Sequence, residues 1–330
     1  MGRGDDRNGE KMKQIKKLVV LLLSLSMVLG LVGCANSNNE VNKVTSTPTV
    51  TVTPTVENTE VEYPITITDS FGNEVIIEKE PTKVVSGGPN ITEMIYALGA
   101  EDKLVGRTDY CDYPEKVSEI PSIGTLYTPD IEKITSLEPD VVFTSTHFDE
   151  DVANKLKELG IAVVGLYNSA NYEGAYDIIN IAATVLNKKQ EAKTQMNEMK
   201  TLVSDVQSKV SDLEKKSVYY VVGYGEYGDS TATGDTFINE MIGLAGAINV
   251  AADGTNWSYS LERLLEVDPD VILVRTGEKD SFMNADGYKD LTAVKEGNVF
   301  EIESNLLDRQ GVRNALGIEA IAKLVYPDAF

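Results

Sequence analysis

The sequence predicts an α/β protein of two Rossmann-like lobes with mainly parallel sheets, joined by one long rigid α-helix. Three observations predict this fold. Short apolar runs rich in β-branched residues alternate with stretches of helical period, as in βαβ units. One long segment without Gly or Pro has the period of a single amphipathic helix. Two stretches of the first half of the chain recur, in the same order, in the second half.

Seven apolar runs are predicted to form the strands of the two sheets. They are KVVSGG, KLVGRT, DVVFTST, IAVVGLY, SVYYVVGY, DVILVRT and NVFEIES. The segment ITITDSFGNEVIIE precedes them and has a different pattern. Its alternation on both sides of Phe71-Gly72-Asn73 predicts an antiparallel hairpin.

The segment from Ala175 to Val222 contains no Gly or Pro and predicts the long helix. Its apolar residues recur at helical spacing and are expected to pack in the core: Met196, Met199, Leu202, Val203, Val206, Val210 and Leu213. A helix from Lys188 to Lys215 would be about 42 Å long at ~1.5 Å per residue. A helix of this length in the middle of the chain is expected to bridge two lobes.

The internal similarity supports two lobes. DIEKITSLEPDVVFTST (130–146) aligns without gaps with SLERLLEVDPDVILVRT (260–276), and in each a proline ends a helix before a strand. TEMIYALGA (92–100) likewise resembles NEMIGLAGA (239–247). The predicted organisation is a signal peptide at 1–33, a tether at 34–62, an N-terminal lobe at 63–170, a helical segment at 171–216 and a C-terminal lobe at 217–330.

The N-terminal segment has the layout of an export signal. Starting from Met12, a basic head precedes an apolar stretch that ends at Leu31-Val32-Gly33-Cys34. This ending resembles the bacterial lipoprotein cleavage box, which implies that Cys34 becomes the first mature residue and carries lipid. The alternative is a membrane-spanning helix, but the apolar stretch 18–31 is shorter than the roughly 20 residues that a span needs. The Thr-, Asn- and Pro-rich residues that follow are predicted to be a flexible tether.

The composition excludes several classes of function. The formal net charge is -22, and the chain from Cys34 onward carries -25, so that a nucleic-acid partner is not expected. Cys34 and Cys111 are the only cysteines, which leaves neither a disulfide framework nor a thiolate cluster. His147 is the only histidine, so that a multi-histidine zinc site is excluded.

Gly223, Gly225 and Gly228 have the G-x-G-x-x-G spacing of a dinucleotide-binding loop. That motif requires a helix to open at its second glycine, where the pyrophosphate binds. Here the next helix is expected only near Asp235, so that the loop is too long. We interpret it instead as a loop of a ligand cleft that presents Tyr224 and Tyr227.

Several motifs in fixed order resemble a known family. They include TEMIYALG, DYCDYPEKVSEIPSIG, LEPDVVF, DTFINEMIGLAG, NWSYSLERLLEVDPDVIL and GIEAIAKLVYP. Together they resemble, over residues 64–330, the substrate-binding lipoproteins of ABC importers for iron–siderophore, haem and cobalamin. The resemblance implies a ligand cleft between two lobes, permease and ATPase partners, and no catalysis. It also implies a monomer, held outside the cytoplasm by a lipid anchor, with no cofactor beyond its bound chelate.

Candidate ligand-binding residues stand in the predicted loops at the carboxyl ends of strands. Trp257, the only tryptophan, lies in the polar loop GTNWSYS, and Arg275 is the best placed of Arg107, Arg275, Arg309 and Arg313 to meet an anionic chelate. His147 is either an axial ligand of a chelated metal or a hydrogen-bonding loop residue. No residue is expected to bind metal by itself. The full set is Tyr110, Tyr127, His147, Tyr224, Tyr227, Trp257 and Arg275.

Glu93 and Glu240 occupy the same position in the two similar helices. The resemblance implies that one glutamate on the outer face of each lobe docks onto arginines of the permease. The alternative for Glu93 is a capping box with Asn90 as the N-cap. Cys111 is expected to be a small buried residue rather than a nucleophile.

The sequence does not decide which of several related chelates is the ligand. DYCDYP and NWSYSLERLLEVDPD most resemble cobalamin binders and favour a corrinoid, whereas arginines near the cleft would favour a ferric siderophore, and haem is a further alternative. Two rivals come from other classes. A lipid-anchored hydrolase would have to use His147 and lacks a G-x-S-x-G elbow, and an adhesive lipoprotein would not bind a small chelate tightly.

Overall fold

The protein is described by a computed structural model that covers residues 60–168, 171–225 and 228–330. The predicted signal peptide, the lipidation site Cys34, the tether up to residue 59 and Tyr227 lie outside these residues. Their predictions therefore stay predictions.

The chain begins its described part with the predicted hairpin. Strands β1 (Ile65–Thr68) and β2 (Glu74–Ile77) pair in antiparallel register, with Ile65 opposite Ile77. The carboxylate of Asp69 closes the turn, because it accepts hydrogen bonds from the backbone N–H groups of Phe71 (3.0 Å) and Asn73 (2.8 Å). The prediction of a hairpin is confirmed.

The first sheet has four strands, all parallel, in the order β4-β3-β5-β6. The strands are β3 (Val84–Ser86), β4 (Leu104–Arg107), β5 (Val141–Thr144) and β6 (Ala162–Gly165). The helices between them are α1 (Pro89–Ala97), α2 (Ile131–Ser136) and α3 (Glu150–Glu158). Strands β3 and β5 are buried along their whole length, as expected of apolar strands that lie inside a parallel sheet.

Two helices connect the first sheet to the second: α4 (Gly174–Leu186) and α5 (Lys189–Val210). With 22 residues, α5 is about 33 Å long at ~1.5 Å per residue. It ends at Val210 rather than at the predicted Lys215, and Leu213, beyond its end, is 40% exposed. Its apolar face is buried as the spacing predicts, through Met199, Val203, Val206 and Val210.

The second sheet has five strands in the order β11-β10-β7-β8, and β9 also pairs with β7. Only β8 is antiparallel to its neighbour. The strands are β7 (Ser217–Gly223), β8 (Ser230–Thr231), β9 (Ile248–Asn249), β10 (Val271–Arg275) and β11 (Val299–Ile302). The helices are α6 (Phe237–Leu244), α7 (Leu261–Val267), α8 (Lys279–Asn284), α9 (Thr292–Glu296), α10 (Asn305–Asp308) and α11 (Asn314–Val325). The predicted fold class, α/β with mainly parallel sheets, is confirmed.

One hydrophobic cluster joins the two sheets. It contains Phe143 of the first sheet, Leu273 of the second, and Met199 of the connecting helix α5. Helix α11 packs against α5 and adds Ile318 and Ile321 to the same cluster. Both sheets therefore rest on shared helices, while the exact lobe boundaries stay a prediction.

The two similar segments of the sequence make the same contact in both sheets: an aspartate before one strand accepts hydrogen bonds at the start of a neighbouring strand. Asp140, just before β5, accepts hydrogen bonds from the backbone N–H groups of Thr82 (2.8 Å) and Lys83 (3.1 Å), just before β3. Asp270, just before β10, accepts from the backbone N–H (2.7 Å) and hydroxyl (2.6 Å) of Ser217, which begins β7. Burial would raise the pKa of Asp140, but these hydrogen bonds and the contact with Lys79 hold it at about 2.

No helix in the described parts of the chain combines the length and apolar character that crossing a membrane requires.

Candidate functional site

A cleft of about 650 Å³ lies where the carboxyl ends of the two sheets face each other. In each sheet, strands that follow the first one lie on both of its sides: β4 and β5 flank β3, and β8 and β10 flank β7. Ligands of such sheets bind at these switch points. The first sheet contributes the segments after β3, β4, β5 and β6, and the second contributes the ends of β7 and β10, the start of α6, the loop before α7 and the end of α10 with the residues after it. The lining residues are Pro89, Asn90, Leu126, Tyr127, Ser145, Thr146, His147, Tyr167, Val222, Phe237, Trp257, Arg275, Asp308, Arg309 and Gln310.

Three aromatic rings form a string on the side of the first sheet. The ring centroids of Tyr110 and Tyr127 are 6.4 Å apart, and those of Tyr127 and His147 are 5.6 Å apart, both edge to face. Tyr127 is 57% exposed and Tyr110 is 47% exposed, although large aromatic side chains gain most from burial. The structure thus brings three predicted ligand-binding residues together, with Tyr127 and His147 in the cleft lining and Tyr110 beside them.

Trp257 lines the cleft from the side of the second sheet. Asn256 and Trp257 both adopt left-handed backbone conformations, with φ of 55° and 60°. Such conformations cost on the order of 1–3 kcal/mol each in non-glycine residues and persist where the surroundings fix them. Two hydrogen bonds fix this loop: Trp257 N–H donates to the hydroxyl of Thr233 (3.1 Å), and Trp257 C=O accepts from Thr231 N–H (3.0 Å). The indole is therefore held at the cleft by a defined loop.

Arg275, at the end of β10, lines the cleft as predicted but already has an ionic partner. Its Nη2 donates to Oδ2 of Asp308 at 2.9 Å, while the hydroxyl of Tyr220 donates to Oδ1 of the same carboxylate at 2.9 Å. Desolvation raises the pKa of Asp308, and the charge of Arg275 opposes that shift. The Nε of Arg275 is buried without a hydrogen-bond partner among the described residues.

Arg309 also lines the cleft and also pairs with carboxylates of the chain. Its Nη1 donates to Oε1 of Glu93 (2.7 Å) and to Oδ1 of Asp112 (2.6 Å). The hydrogen bond from Arg309 lowers the pKa of Asp112. Behind it, Arg313 donates to both oxygens of Glu93, each at 2.8 Å. These ion pairs join α1, beside the first sheet, to the segment that leads into α11.

The structure places Glu93 differently from the expectation of a glutamate on the outer face. Its side chain is 3% exposed and is paired with the two arginines. The capping-box alternative is also wrong, because α1 begins at Pro89 with Gly88 as its N-cap. Glu240, at the equivalent position of α6, is exposed, and its carboxylate accepts a hydrogen bond from Tyr172 N–H at 2.7 Å.

In the described part of the glycine-rich loop after β7, no α-helix begins at a glycine. Gly225 and Gly228 have φ of +80° and +90°, and the next described α-helix begins at Phe237, so that these residues do not provide the α-helix N-terminus which a pyrophosphate needs. Tyr224 lies outside the cleft lining, contrary to its predicted role. Its ring packs edge to face against Phe282 (5.2 Å).

Several lining residues were missed in the sequence. Tyr167 follows strand β6 directly, so the rule that loops at carboxyl strand ends meet the ligand would have found it. No local sequence pattern indicated that Gln310 lines the cleft. Its side chain bridges to the first half of the chain, accepting from Asn168 N–H (2.9 Å) and donating to Asn171 C=O (3.2 Å).

In the part of the chain that the structure describes, no group of three or more His, Cys, Asp or Glu could hold a metal ion. His147 at the cleft could add one ligand to a metal that a chelator already holds, and that role stays a prediction. Cys111 is 4% exposed and lies within hydrogen-bond distance of the hydroxyls of Thr92 (3.1 Å) and Thr108 (3.3 Å). The expectation that it is buried is confirmed.

Comparison with known proteins gives one family and several relatives. The family model described as periplasmic binding protein matches residues 84–306. The uncharacterised ABC transporter substrate-binding lipoprotein YvrC of Bacillus subtilis is 33% identical over 283 residues, which cover 83% of this chain and 89% of that protein. A cobalamin-binding protein of Halobacterium salinarum is 26% identical over 268 residues, 76% of this chain and 71% of that protein. The solved structure of the periplasmic haem-binding protein HutB of Vibrio cholerae has a TM-score of 0.68 at 25% identity, covering 74% of this chain and 99% of that chain.

Proposed function

The chain belongs to the periplasmic binding protein family, and we propose that its cleft captures a metal chelate outside the cytoplasm and delivers it to the permease of an ABC importer. Its relatives are substrate-binding proteins, a class without catalytic activity, which confirms the expectation that the chain is not an enzyme. The hydrolase alternative is thereby set aside. The chain is the substrate-binding component of an importer of the cobalamin, siderophore and haem type.

We propose a chelate as the ligand because aromatic side chains line the cleft between the two sheets. Its volume, about 650 Å³, falls within the range of ligand pockets, about 300–1,000 Å³. Tyr127 and His147 line one side and Trp257 lines the other. Rigid aromatic rings present a large contact area at low entropic cost, which suits a large, flat ligand.

We favour a corrinoid as the chelate. The stretches that contain Tyr110 and Trp257 resemble those of cobalamin binders, and one relative is named for cobalamin binding. Haem is the second candidate, because His147 stands exposed at the cleft beside Tyr127 and could supply an axial ligand to iron. A ferric siderophore is the third.

Delivery to the permease would use the exposed carboxylate of Glu240. Charge pairs at the rim of an interface mainly set the rate and orientation of association, which is what a shuttle between ligand and permease needs. Attachment of lipid to Cys34 would keep the protein at the membrane, close to the permease and ATPase subunits.

Calorimetric titration of the full-length chain with cyanocobalamin, haemin and a ferric hydroxamate siderophore tests the proposal. We expect saturable binding of cyanocobalamin, weakened at least about tenfold by Tyr127→Ala because the aromatic contact area is lost. Phe330→Ala is the matched control, since it removes an exposed aromatic ring (37%) that does not line the cleft. Binding of haemin alone, abolished by His147→Ala, would favour the second candidate. Absence of binding to all three chelates would contradict the proposal.

A further inference from the structure

Both arginines that line the cleft are already bound to carboxylates of the same chain. Arg275 pairs with Asp308 at 2.9 Å, and Arg309 pairs with Glu93 at 2.7 Å and Asp112 at 2.6 Å. No lysine lines the cleft among the described residues. Carboxylates of the protein therefore pair with both of the arginines that the sequence offers as candidates for binding an anionic ligand.

The charges around the cleft sum to a negative value. Two separate groups of ion pairs form this cluster: Arg275 pairs with Asp308, and Arg309 and Arg313 pair with Glu93, Asp112 and Glu303, which sets three arginines against four carboxylates. With all groups ionised, the cluster carries one negative charge. Desolvation raises the pKa of Asp308, and the ion pair with Arg275 and the hydrogen bond from Tyr220 oppose that shift.

The ion pairs of Glu93 with Arg309 and Arg313 are short and shielded from solvent. The side chain of Arg309 is 14% exposed and that of Glu93 is 3% exposed, so that a ligand that took Arg309 would leave the buried carboxylate of Glu93 with one of its two arginine partners, Arg313. The loss of one partner of a buried charge is unfavourable. A chelate with carboxylates at its edge would meet a neutral or negative wall.

We propose that the cleft is selective for an electroneutral chelate, and that Asp308 and Asp112 are specificity-determining residues, which withhold Arg275 and Arg309 from chelates that bear free carboxylates. The inference rests on the proposed function and narrows its substrate class. The remaining lining agrees with it, because Tyr127, Phe237 and Trp257 are aromatic and Ser145 and Gln310 are polar but uncharged. Such a surface binds by area and by neutral hydrogen bonds.

The test is to remove one carboxylate partner from each arginine and look for a gain of binding. The full-length chain and the variants Asp308→Asn and Asp112→Asn are titrated with cyanocobalamin, an electroneutral chelate, and with ferric citrate, an anionic one. Asp112 has a side chain that is 60% exposed, so its substitution tests the idea even if Asp308→Asn fails to fold. Asp286→Asn is the matched control, because it removes one negative charge from a side chain that is 98% exposed and is paired with Lys289, outside the cleft lining.

We expect the unmodified chain to bind cyanocobalamin at least about 100-fold more tightly than ferric citrate. Each cleft variant should gain about tenfold or more in affinity for ferric citrate, the scale of one charge-assisted hydrogen bond. Asp286→Asn should change neither affinity.

Two results would overturn the inference while leaving the proposed function in place: ferric citrate bound by the unmodified chain as tightly as cyanocobalamin, or folded cleft variants without gain for ferric citrate. A gain for ferric citrate in the variants, with cyanocobalamin bound by none of the proteins, would support the charge selection and contradict the corrinoid. No binding of either probe by any of the proteins would contradict both.

Discussion

The burial of Glu93 leads to a quantitative prediction for its removal. Its carboxylate accepts hydrogen bonds from Arg309 at 2.7 Å and from two nitrogens of Arg313 at 2.8 Å, and its side chain is 3% exposed. Glu93→Ala leaves two partly buried guanidinium groups without this partner. Removing one member of a buried ion pair costs about 3–5 kcal/mol, and Arg309 and Arg313 keep Asp112 and Glu303, so we expect a loss of about 3 kcal/mol.

Urea denaturation measures this loss as a lower midpoint at unchanged m-value. Glu240→Ala is the matched control, because Glu240 is the same residue at the equivalent position of α6 but is exposed, with one hydrogen bond from Tyr172 N–H. Its removal should cost about 1 kcal/mol or less. If Glu93→Ala costs no more than Glu240→Ala, then Glu93 is a surface residue and the account of the ion pairs is wrong.

Three further predictions concern the sheet, the cleft and the docking surface. Asp140→Asn should lower the free energy of unfolding at pH 7 by up to about 2.5 kcal/mol, the equivalent of a pKa of about 2 against an ordinary value of 3.8. Because the folded-state pKa is the lower one, this contribution is present above about pH 4 and is lost as the pH falls toward about 2; urea midpoints for both proteins at pH 7 and pH 3 should therefore differ less at the lower pH. Fluorescence of Trp257, the only tryptophan, should be quenched saturably by cyanocobalamin, and Trp257→Phe should weaken binding by calorimetry; unchanged affinity would remove its ligand role. Glu240→Lys should reduce capture by the permease in proteoliposomes without changing chelate affinity, and unchanged capture would contradict the docking role.

The parts of the fold that depend on local pattern were predictable. The seven strands, the hairpin at Asp69 and the amphipathic face of α5 all follow from residues close together in the chain. The repeated acidic-Pro-Asp pattern also has a local meaning, since Asp140 and Asp270 each clamp the start of a neighbouring strand. The position of the cleft followed from the rule for carboxyl strand ends, which brought Tyr127, His147 and Trp257 to one place.

The charges of the cleft could not be predicted in this way. Arg275 and Arg309 were candidates for binding an anionic ligand, but whether an arginine is free depends on residues far away in the chain. Glu93 and Arg309 are 216 residues apart. No local pattern distinguishes an arginine that faces a ligand from one that a distant carboxylate already holds. The position of Tyr224 is a similar case, because its ring contacts Phe282, which lies in the distant helix α8.

The two equivalent glutamates show what the internal similarity does and does not conserve. Glu93 in α1 is bound by arginines from the segment before and within the start of α11, and Glu240 in α6 accepts a hydrogen bond from Tyr172, just before α4. Each glutamate therefore contacts a segment that belongs with the other sheet or with the connecting helices. The contacts of Glu93 with Arg309 and Arg313 link the two halves of the chain, so movement of one sheet against the other would break or shift them. If the permease binds Glu240, as we propose, it would meet a carboxylate that already accepts a hydrogen bond from Tyr172 N–H, so that docking would be coupled to the position of the segment just before α4.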